Sequence, residues 1–213
     1  MPPPNPPQTW TRQVSGTTYT VSTDRSLIQL DALNAAFASD MLYWAKPLAP
    51  DVLQLCVEQS LCFGLYAHGE GQEGSPQPQE GGDGGGADSI ATKQGAEKTP
   101  PPPMVGFARL VTDHTTFAYL TDVYVLPPHQ GRGLGRWMMG CLDETLEKWQ
   151  DLRRCLLLTR DAAAVRMYGA TIGAREMRQA SSSGGLFVLE RVGRGGVSFT
   201  GGSTEEADEG GAN

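Results

Sequence analysis

The sequence predicts an α/β domain of the α+β kind, with a central sheet flanked by helices. Three observations lead there. Strand-like and helix-like runs follow in the order β-α-α-β-β-β-α-β-α-β between Thr18 and Glu190. The run from Asp122 to Arg136 reads as a strand end, a turn with glycine at alternate positions (Gly131, Gly133, Gly135) and a helix start. That helix continues through Trp137, Met138, Leu142, Leu146 and Trp149 as an amphipathic segment.

Taken in order, Thr18–Ser22 is a short β-like run. Ser26–Ala38 is helical in character, with Leu27, Leu30, Leu33, Ala36 and Phe37 on one face. Tyr43-Trp44-Ala45-Lys46-Pro47 links it to a second helix from Pro50 to Gln59, carrying Val52, Leu53, Leu55 and Cys56. Leu61–Tyr66 and Met104–Val111 are strands, Asp113-His114-Thr115 is a turn, and Thr116–Val125 is a long strand. Helix Leu134–Trp149, strand Cys155–Thr159, helix Ala162–Gly169 and a final strand Leu186–Glu190 complete the set, with Ala174–Gln179 as a further short strand.

Not all of the chain has the composition to fold. Residues 1–17 begin with a proline-rich stretch and are expected to lack order. Residues 68–103 hold a Gly/Glu/Gln/Pro tract ending in four consecutive prolines, and residues 193–213 are rich in glycine, serine and acid. Such segments hold too little apolar surface to offset the entropy of ordering them. The folded domain is therefore expected over residues 18–192, interrupted by the insertion at 68–103. The roughly 140 residues left are enough for a full hydrophobic core.

The net charge of −7 divides into −4 on residues 68–103, −4 on residues 195–213 and +1 on the rest. A nearly neutral folded part without a broad basic face argues against nucleic-acid binding. The four cysteines (Cys56, Cys62, Cys141, Cys155) form no C-x-x-C pair, which argues against zinc and thioredoxin-like chemistry, and no metal site is expected. Three of them lie in apolar strand or helix runs and read as buried thiols of a reducing compartment. No apolar run approaches the length of a membrane span, and the N-terminus is unlike a signal peptide. The expected location is cytoplasmic or nuclear, without membrane association.

The glycine turn carries the chemistry. Alternate glycines let a backbone approach a ligand closely, and a helix starting behind them directs free N–H groups and a positive dipole end at the turn. Arg132 and Arg136 add charge at the same place, so an anion such as a phosphate is favoured. A Walker loop needs Gly-Lys-Ser/Thr, and no lysine follows any of these glycines. A dinucleotide fingerprint needs a third glycine where Arg136 or Met138 stands. Both nucleotide readings fail.

What remains is Gln-x-x-Gly-x-Gly at Gln130–Gly135, behind a strand ending in Val-Tyr-Val-Leu-Pro. This resembles the acyl-CoA pyrophosphate loop of the GNAT superfamily of N-acetyltransferases. The element order is similar too, and the resemblance extends over most of the core, from about Thr18 to Glu190. It is strongest in Tyr43-Trp44-Ala45, Ser60–Tyr66, Val105–Arg109 and Phe117–Gly135, where the chain looks like a poorly characterised microbial branch.

The resemblance implies a mixed, mostly antiparallel sheet in which the parallel strands 116–125 and 155–159, the fourth and fifth of the family order, splay apart for acetyl-CoA. It implies that the backbone of Val123, Tyr124 and Val125 pairs with the pantetheine arm, as an added strand would. One of those amides would polarise the thioester carbonyl. Gln130, Gly131, Arg132, Gly133, Leu134, Gly135 and Arg136 would hold the pyrophosphate. Asp161-x-x-Ala164-x-x-x-Tyr168 matches the helix whose tyrosine faces the CoA sulfur as general acid. In the family a Gly-aromatic pair follows four residues after that tyrosine; here the glycine is five on, at Gly173, and Ala174 replaces the aromatic.

Asp122, just before the pantetheine-contact residues, is the candidate general base, with Asp113 and His114 as turn-like alternatives; a structural Asp122, paired with an arginine or capping a neighbouring loop, is a reading of at least equal weight. Tyr43 and Trp44 occupy the loop that lines the acceptor pocket in the family and could hold an amine by cation–π contact. The expected activity is direct transfer of acetyl from acetyl-CoA to a primary amine of a small molecule or peptide, by a monomer or homodimer. The alternatives are a protein lysine or N-terminal acetyltransferase, and a non-catalytic acyl-CoA-binding scaffold.

Overall fold

The computed structural model describes residues 6–69, 101–177 and 187–194. Eight strands, β1 (Thr9–Val14), β2 (Thr17–Ser22), β3 (Ser60–His68), β4 (Met104–Thr112), β5 (Phe117–Val125), β6 (Arg154–Thr159), β7 (Arg175–Glu176) and β8 (Phe187–Val192), lie in the order β1-β2-β3-β4-β5-β6-β8-β7. Four helices accompany them: α1 (Leu30–Phe37), α2 (Pro50–Glu58), α3 (Leu134–Leu146) and α4 (Ala162–Ile172). The sheet is mixed. The β5–β6 pair is parallel, while β1–β2, β2–β3, β6–β8 and β7–β8 are antiparallel.

Two compact units divide the chain. One comprises Met1–Arg109 and Asp122–Met138, the other Leu110–Thr121 and Met139–Asn213. In the first, the apolar faces of α1 (Leu33, Ala36, Phe37) and α2 (Leu53, Val57) are buried in one cluster with Cys62 and Tyr66 of β3, Phe107 of β4 and Tyr124 of β5. Burying each such side chain stabilises by about 1.5–3 kcal/mol. In the second unit Leu110, Leu142, Leu146, Leu157 and Leu189 are all buried. There Arg191 of β8 joins Asp143 of α3 at 3.0 Å and also Glu147, the residue just after that helix.

Several boundaries differ from the sequence reading, each for a local reason. The N-terminal disorder expected over residues 1–17 is corrected by β1. Ser15 and Gly16 both have positive φ (50° and 80°), the two-residue turn whose twist suits a hairpin, and Val14 pairs with Thr17 across it. The helix expected over Ser26–Ala38 is two pieces. Asp24 caps a 3-10 turn at Arg25–Leu27, and Ile28 is extended (φ −67°, ψ 121°) before α1 begins. Gln29 marks that start: its side-chain amide donates to Pro102 O at 2.8 Å, and its carbonyl oxygen accepts from the Met104 amide at 3.1 Å.

Helix α3 stops at Leu146 rather than Trp149, where the Lys148 and Trp149 amides tighten onto carbonyls three residues back. Helix α4 runs past Gly169 to Ile172 and ends at Gly173, whose left-handed φ of 63° closes the last turn onto the Tyr168 carbonyl. Most of the expected insertion at 68–103 and of the expected tail at 193–213 lies outside the described residues. Its flanks are described: the Ala67 amide donates to Pro103 O at 3.1 Å.

Gly106 shows how closely β3, β4 and β5 are fitted. A Cβ there would lie 2.9 Å from both the Tyr124 carbonyl oxygen and Leu65 Cδ2. Gly106→Ala is therefore expected to cost about 1–3 kcal/mol, because a backbone carbonyl cannot rotate away as a side chain can. Thermal denaturation checks this: a fall of several degrees is expected, and an unchanged midpoint would contradict the tight approach.

Candidate functional site

Two prolines set the stage for the glycine turn. Pro127 and Pro128 open a 3-10 turn that ends at His129, closed by the His129 and Gln130 amides donating to Leu126 O and Pro127 O. Gln130 then donates its side-chain amide to the Val125 carbonyl at 2.7 Å, fastening the turn to the end of β5. Gly131 and Gly133 have φ of 74° and 73°, backbone that residues with a Cβ rarely adopt. A Cβ built on either meets no atom of the chain within 4 Å, so conformation, not crowding, requires glycine there.

The first helical hydrogen bond of α3 runs from the Trp137 amide to Gly133 O at 3.0 Å. By helix geometry the amides of Leu134, Gly135 and Arg136 then have no carbonyl one turn earlier. No acidic residue stands in that first turn to compete for them. Leu134 is buried and anchors the helix start, while Arg132 and Arg136 are exposed beside it. Backbone donors and a positive helix end thus meet at one turn, which also carries Arg132 and, in the first turn of the helix, Arg136. The residues expected to hold a pyrophosphate, Gln130 to Arg136, are together.

Behind the turn lie contacts that no local sequence pattern marks. Tyr19 of β2, fully buried, places its hydroxyl 3.0 Å from Arg132 Nη1 and 3.0 Å from His129 Nδ1. The His129 and Tyr19 rings meet edge to face. Burial, then the charge of Arg132, hold the His129 imidazole below its usual pKa.

Strand β5 brings the remaining candidates in line. Along it Ala118, Leu120, Asp122 and Tyr124 are buried while Tyr119, Thr121, Val123 and Val125 are half-buried. Asp122 has φ 53°, a left-handed residue inside a strand, where the chain bends. Its carboxylate, 6% exposed, accepts from Arg109 Nε at 2.7 Å, and Arg109 Nη1 donates to Ser60 Oγ at 3.2 Å. The parallel ladder with β6 runs from Phe117 and Arg154 to Leu120 and Leu157, so Val123–Val125 lie beyond its last pair. Tyr124 packs against Phe107 with its phenol pushed up by burial and then by the Asp122 charge.

Tyr43 and Trp44 form an edge-to-face pair, centroids 4.9 Å apart, and are 59% and 51% exposed. Both rings are therefore open to solvent and not packed as a hydrophobic link between α1 and α2.

In the other unit, Tyr168 on α4 is 8% exposed, and burial followed by the Asp161 charge push its phenol up to about 12. Asp161 caps α4 by accepting from the Ala163 amide at 2.7 Å. Asp113 is a turn residue. It accepts from the Thr115, Thr116 and Phe117 amides and from the Thr116 hydroxyl, whose hydrogen bond is the chief reason its carboxyl sits far below the usual range.

The buried thiols expected of Cys62, Cys141 and Cys155 are found, each pushed up to about 12 by burial, too high to supply a thiolate at neutral pH. Among the described residues no group of His, Cys, Asp and Glu is placed to hold a metal ion. No helix among them is long and apolar enough to cross a membrane.

Residues 87–174 match the model of the acetyltransferase (GNAT) family. A Gibberella zeae protein that itself carries only a provisional acetyltransferase name is 39% identical over 189 residues, covering 89% of this chain and 95% of its own. A GNAT-family protein of Xanthomonas campestris pv. campestris is 27% identical, with TM-score 0.46 over 78% of this chain and 97% of its own. A spermidine N-acetyltransferase chimera from Vibrio cholerae and hSSAT is 14% identical, with TM-score 0.50 over 84% of this chain and 96% of its own.

Asp122 is paired with Arg109. Arg109→Ala is expected to cost about 2–4 kcal/mol, the loss of a partner to a buried carboxylate, discounted because Arg109 is itself part-exposed. Urea denaturation of the variant checks this, and a midpoint within error of the parent would mean that the pair holds nothing.

Proposed function

The chain belongs to the GNAT acetyltransferase family, and from that premise we propose that it transfers an acetyl group from acetyl-CoA to a primary amine within a ternary complex. The observation that carries this is the turn at Gly131–Gly133. A Cβ built on either of its two left-handed glycines meets no other described residue within 4 Å beyond the chain neighbours, and the turn stands before a helix start with Arg132 and Arg136 beside it. The family uses acetyl-CoA, and the donor set suits a diphosphate: backbone N–H groups for its oxygens and two guanidiniums for its charge.

The pantetheine arm would lie along Val123–Val125, past the end of the β5–β6 ladder, with its amides and carbonyls pairing to backbone as an extra strand does. Gln130 already occupies the Val125 carbonyl, so this pairing would use the residues before it. A backbone amide of the strand would also polarise the thioester carbonyl. The amine nitrogen then attacks the carbonyl carbon. The C–N bond forms, the C–S bond breaks with its electron pair on sulfur, and the nitrogen loses a proton as the sulfur gains one.

Tyr168 is the candidate donor to the departing sulfur. With its phenol near 12, it is neutral throughout the physiological range. An ordinary thiol has a pKa of about 8.5, so full transfer from such a phenol runs uphill by about three units. Its role is then to donate a hydrogen bond to the developing thiolate, and the proton that finally neutralises sulfur is the one released by the amine.

Asp122 is already engaged with Arg109, which favours the positioning of β5 over proton abstraction. Water would carry the amine proton. The exposed Tyr43–Trp44 pair offers aromatic faces to a cationic acceptor, on a small molecule or at the end of a peptide.

Calorimetric titration of acetyl-CoA tests the reading. Micromolar binding is expected for the wild type and none for Gly133→Glu, which sets a carboxylate against the phosphates. Gly133→Ala separates strain from contact: about 1 kcal/mol of stability is expected to be lost to the φ alone. A further loss of affinity would report the ligand. Failure of the wild type to bind would leave a scaffold with the family fold. Tyr168→Phe should lower kcat with acetyl-CoA affinity kept, and the wild-type rate should show no tyrosine ionisation below about pH 11, since the folded phenol titrates near 12. A Tyr168→Phe rate equal to the parent would remove this residue from the reaction.

A further inference from the structure

A guanidinium beside a phosphate site is useful only if its position is fixed, because a free arginine side chain loses rotamer entropy on every binding event. Arg132 is exposed and sits between two left-handed glycines, on backbone with little to restrain it. Its fixed point is Tyr19. Guanidinium nitrogens only donate, so the Tyr19 oxygen accepts from Nη1 at 3.0 Å. The one phenolic proton is then free to go to His129 Nδ1, also at 3.0 Å, which makes that nitrogen the bare one and places the ring proton on Nε2. The direction of the chain is therefore set from Arg132 to Tyr19 to His129. The lowered basicity of the His129 ring, from burial and from Arg132, suits an acceptor that stays neutral.

The acceptor that holds the guanidinium is itself rigid. Tyr19 is fully buried on β2, paired with Arg12 of β1 on one side and Ala67 of β3 on the other. The ring of His129 leans on it edge to face, centroids 5.8 Å apart. His129 in turn closes the 3-10 turn that leads into the glycines. The hydroxyl of Tyr19 thus reaches the glycine turn at two points, one on each side of Gln130 and Gly131.

We propose that Tyr19 is a positioning residue for acyl-CoA, its hydroxyl holding the Arg132 guanidinium toward the phosphates and using His129 as acceptor for its own proton. This rests on the acyl-CoA reading above. It assigns a role in binding to a residue of the N-terminal hairpin, more than a hundred positions before the glycine turn. Removing the hydroxyl leaves the ring in the core, so the fold is expected to keep its stability while Arg132 loses its restraint.

A double-mutant cycle tests it: wild type, Tyr19→Phe, Arg132→Ala and Tyr19→Phe/Arg132→Ala, each titrated with acetyl-CoA and assayed for turnover with an amine the wild type accepts. Tyr19→Phe should weaken acetyl-CoA binding and raise its KM about five- to tenfold, with kcat within about twofold and the melting temperature nearly unchanged. In the Arg132→Ala background the same change should have almost no effect, since the group it positions is gone. Equal losses in both backgrounds, or a loss that tracks a fall in melting temperature, would overturn the proposal by showing that Tyr19 acts through general packing. Unchanged binding by Tyr19→Phe would overturn it as well, with the acyl-CoA reading left standing. No acetyl-CoA binding by the wild type would overturn that reading and this proposal together.

Discussion

The site depends on a bend at Asp122. A strand that carried regular pairing to its end would bond β5 to its neighbour along its whole length and leave no backbone for a ligand. Asp122 adopts φ 53° instead, a conformation costing about 1–2 kcal/mol for a residue with a Cβ. Aspartate tolerates it better than most side chains. The cost is offset where it arises: the same residue is the buried partner of Arg109, which also reaches Ser60 on β3. The bend is thus tied to two neighbouring strands. Val123–Val125 follow it, and Gln130 reaches back to the Val125 carbonyl. Strand geometry and the glycine turn are consequently one assembly, fixed at both ends.

The chemistry offered is mostly that of fixed dipoles and permanent charge. Cys62, Cys141 and Cys155 are silenced by burial, and the phenols of Tyr66, Tyr124 and Tyr168 are all pushed upward by the same cause. Asp113 is committed to its turn. What remains active near neutrality is preorganised: helix amides, strand amides and two arginines. Such groups need no reorganisation when charge develops or binds. The proposed transfer from a thioester, whose leaving group is already good, would make modest demands on acid and base strength, and an amine acceptor would release the proton that the sulfur finally takes.

Legibility in the sequence followed the range of the interaction. The glycine turn was readable because Gly131, Gly133 and the following amphipathic helix are contiguous, and each glycine answers a backbone requirement. Helix α2, β3, β4 and β5 were readable from apolar patterning that burial then enforced. The first strand was not read, although its signal was present: Ser15-Gly16 lies between two runs rich in β-branched residues, a pattern for a tight hairpin. The proline-rich residues just before it carry the opposite signal, that of an extended, unpaired segment. The Arg109–Asp122 pair was foreseen only as an unnamed arginine, and the contacts of Tyr19 with His129 and Arg132 not at all. Nothing local distinguishes Tyr19 from any inward-facing strand tyrosine. Its meaning comes from residues 110 and 113 positions away.

That separation bears on how the protein is made. Chains are synthesised from the N-terminus at about 5–20 residues per second, so β2 emerges on the order of ten seconds before the turn it will hold. Contacts so distant along the chain also slow folding, since loop closure precedes their reward. Until β3 follows, any hairpin formed by β1 and β2 has unpaired edges, and strand edges of that kind invite pairing with other chains. The composition of β1 answers this hazard. Thr9, Thr11, Arg12 and Gln13 are exposed, so the outermost strand meets solvent with hydroxyls, an amide and a charge. Those side chains give the outer edge of the hairpin the polarity and charge that discourage such pairing while the chain is being made.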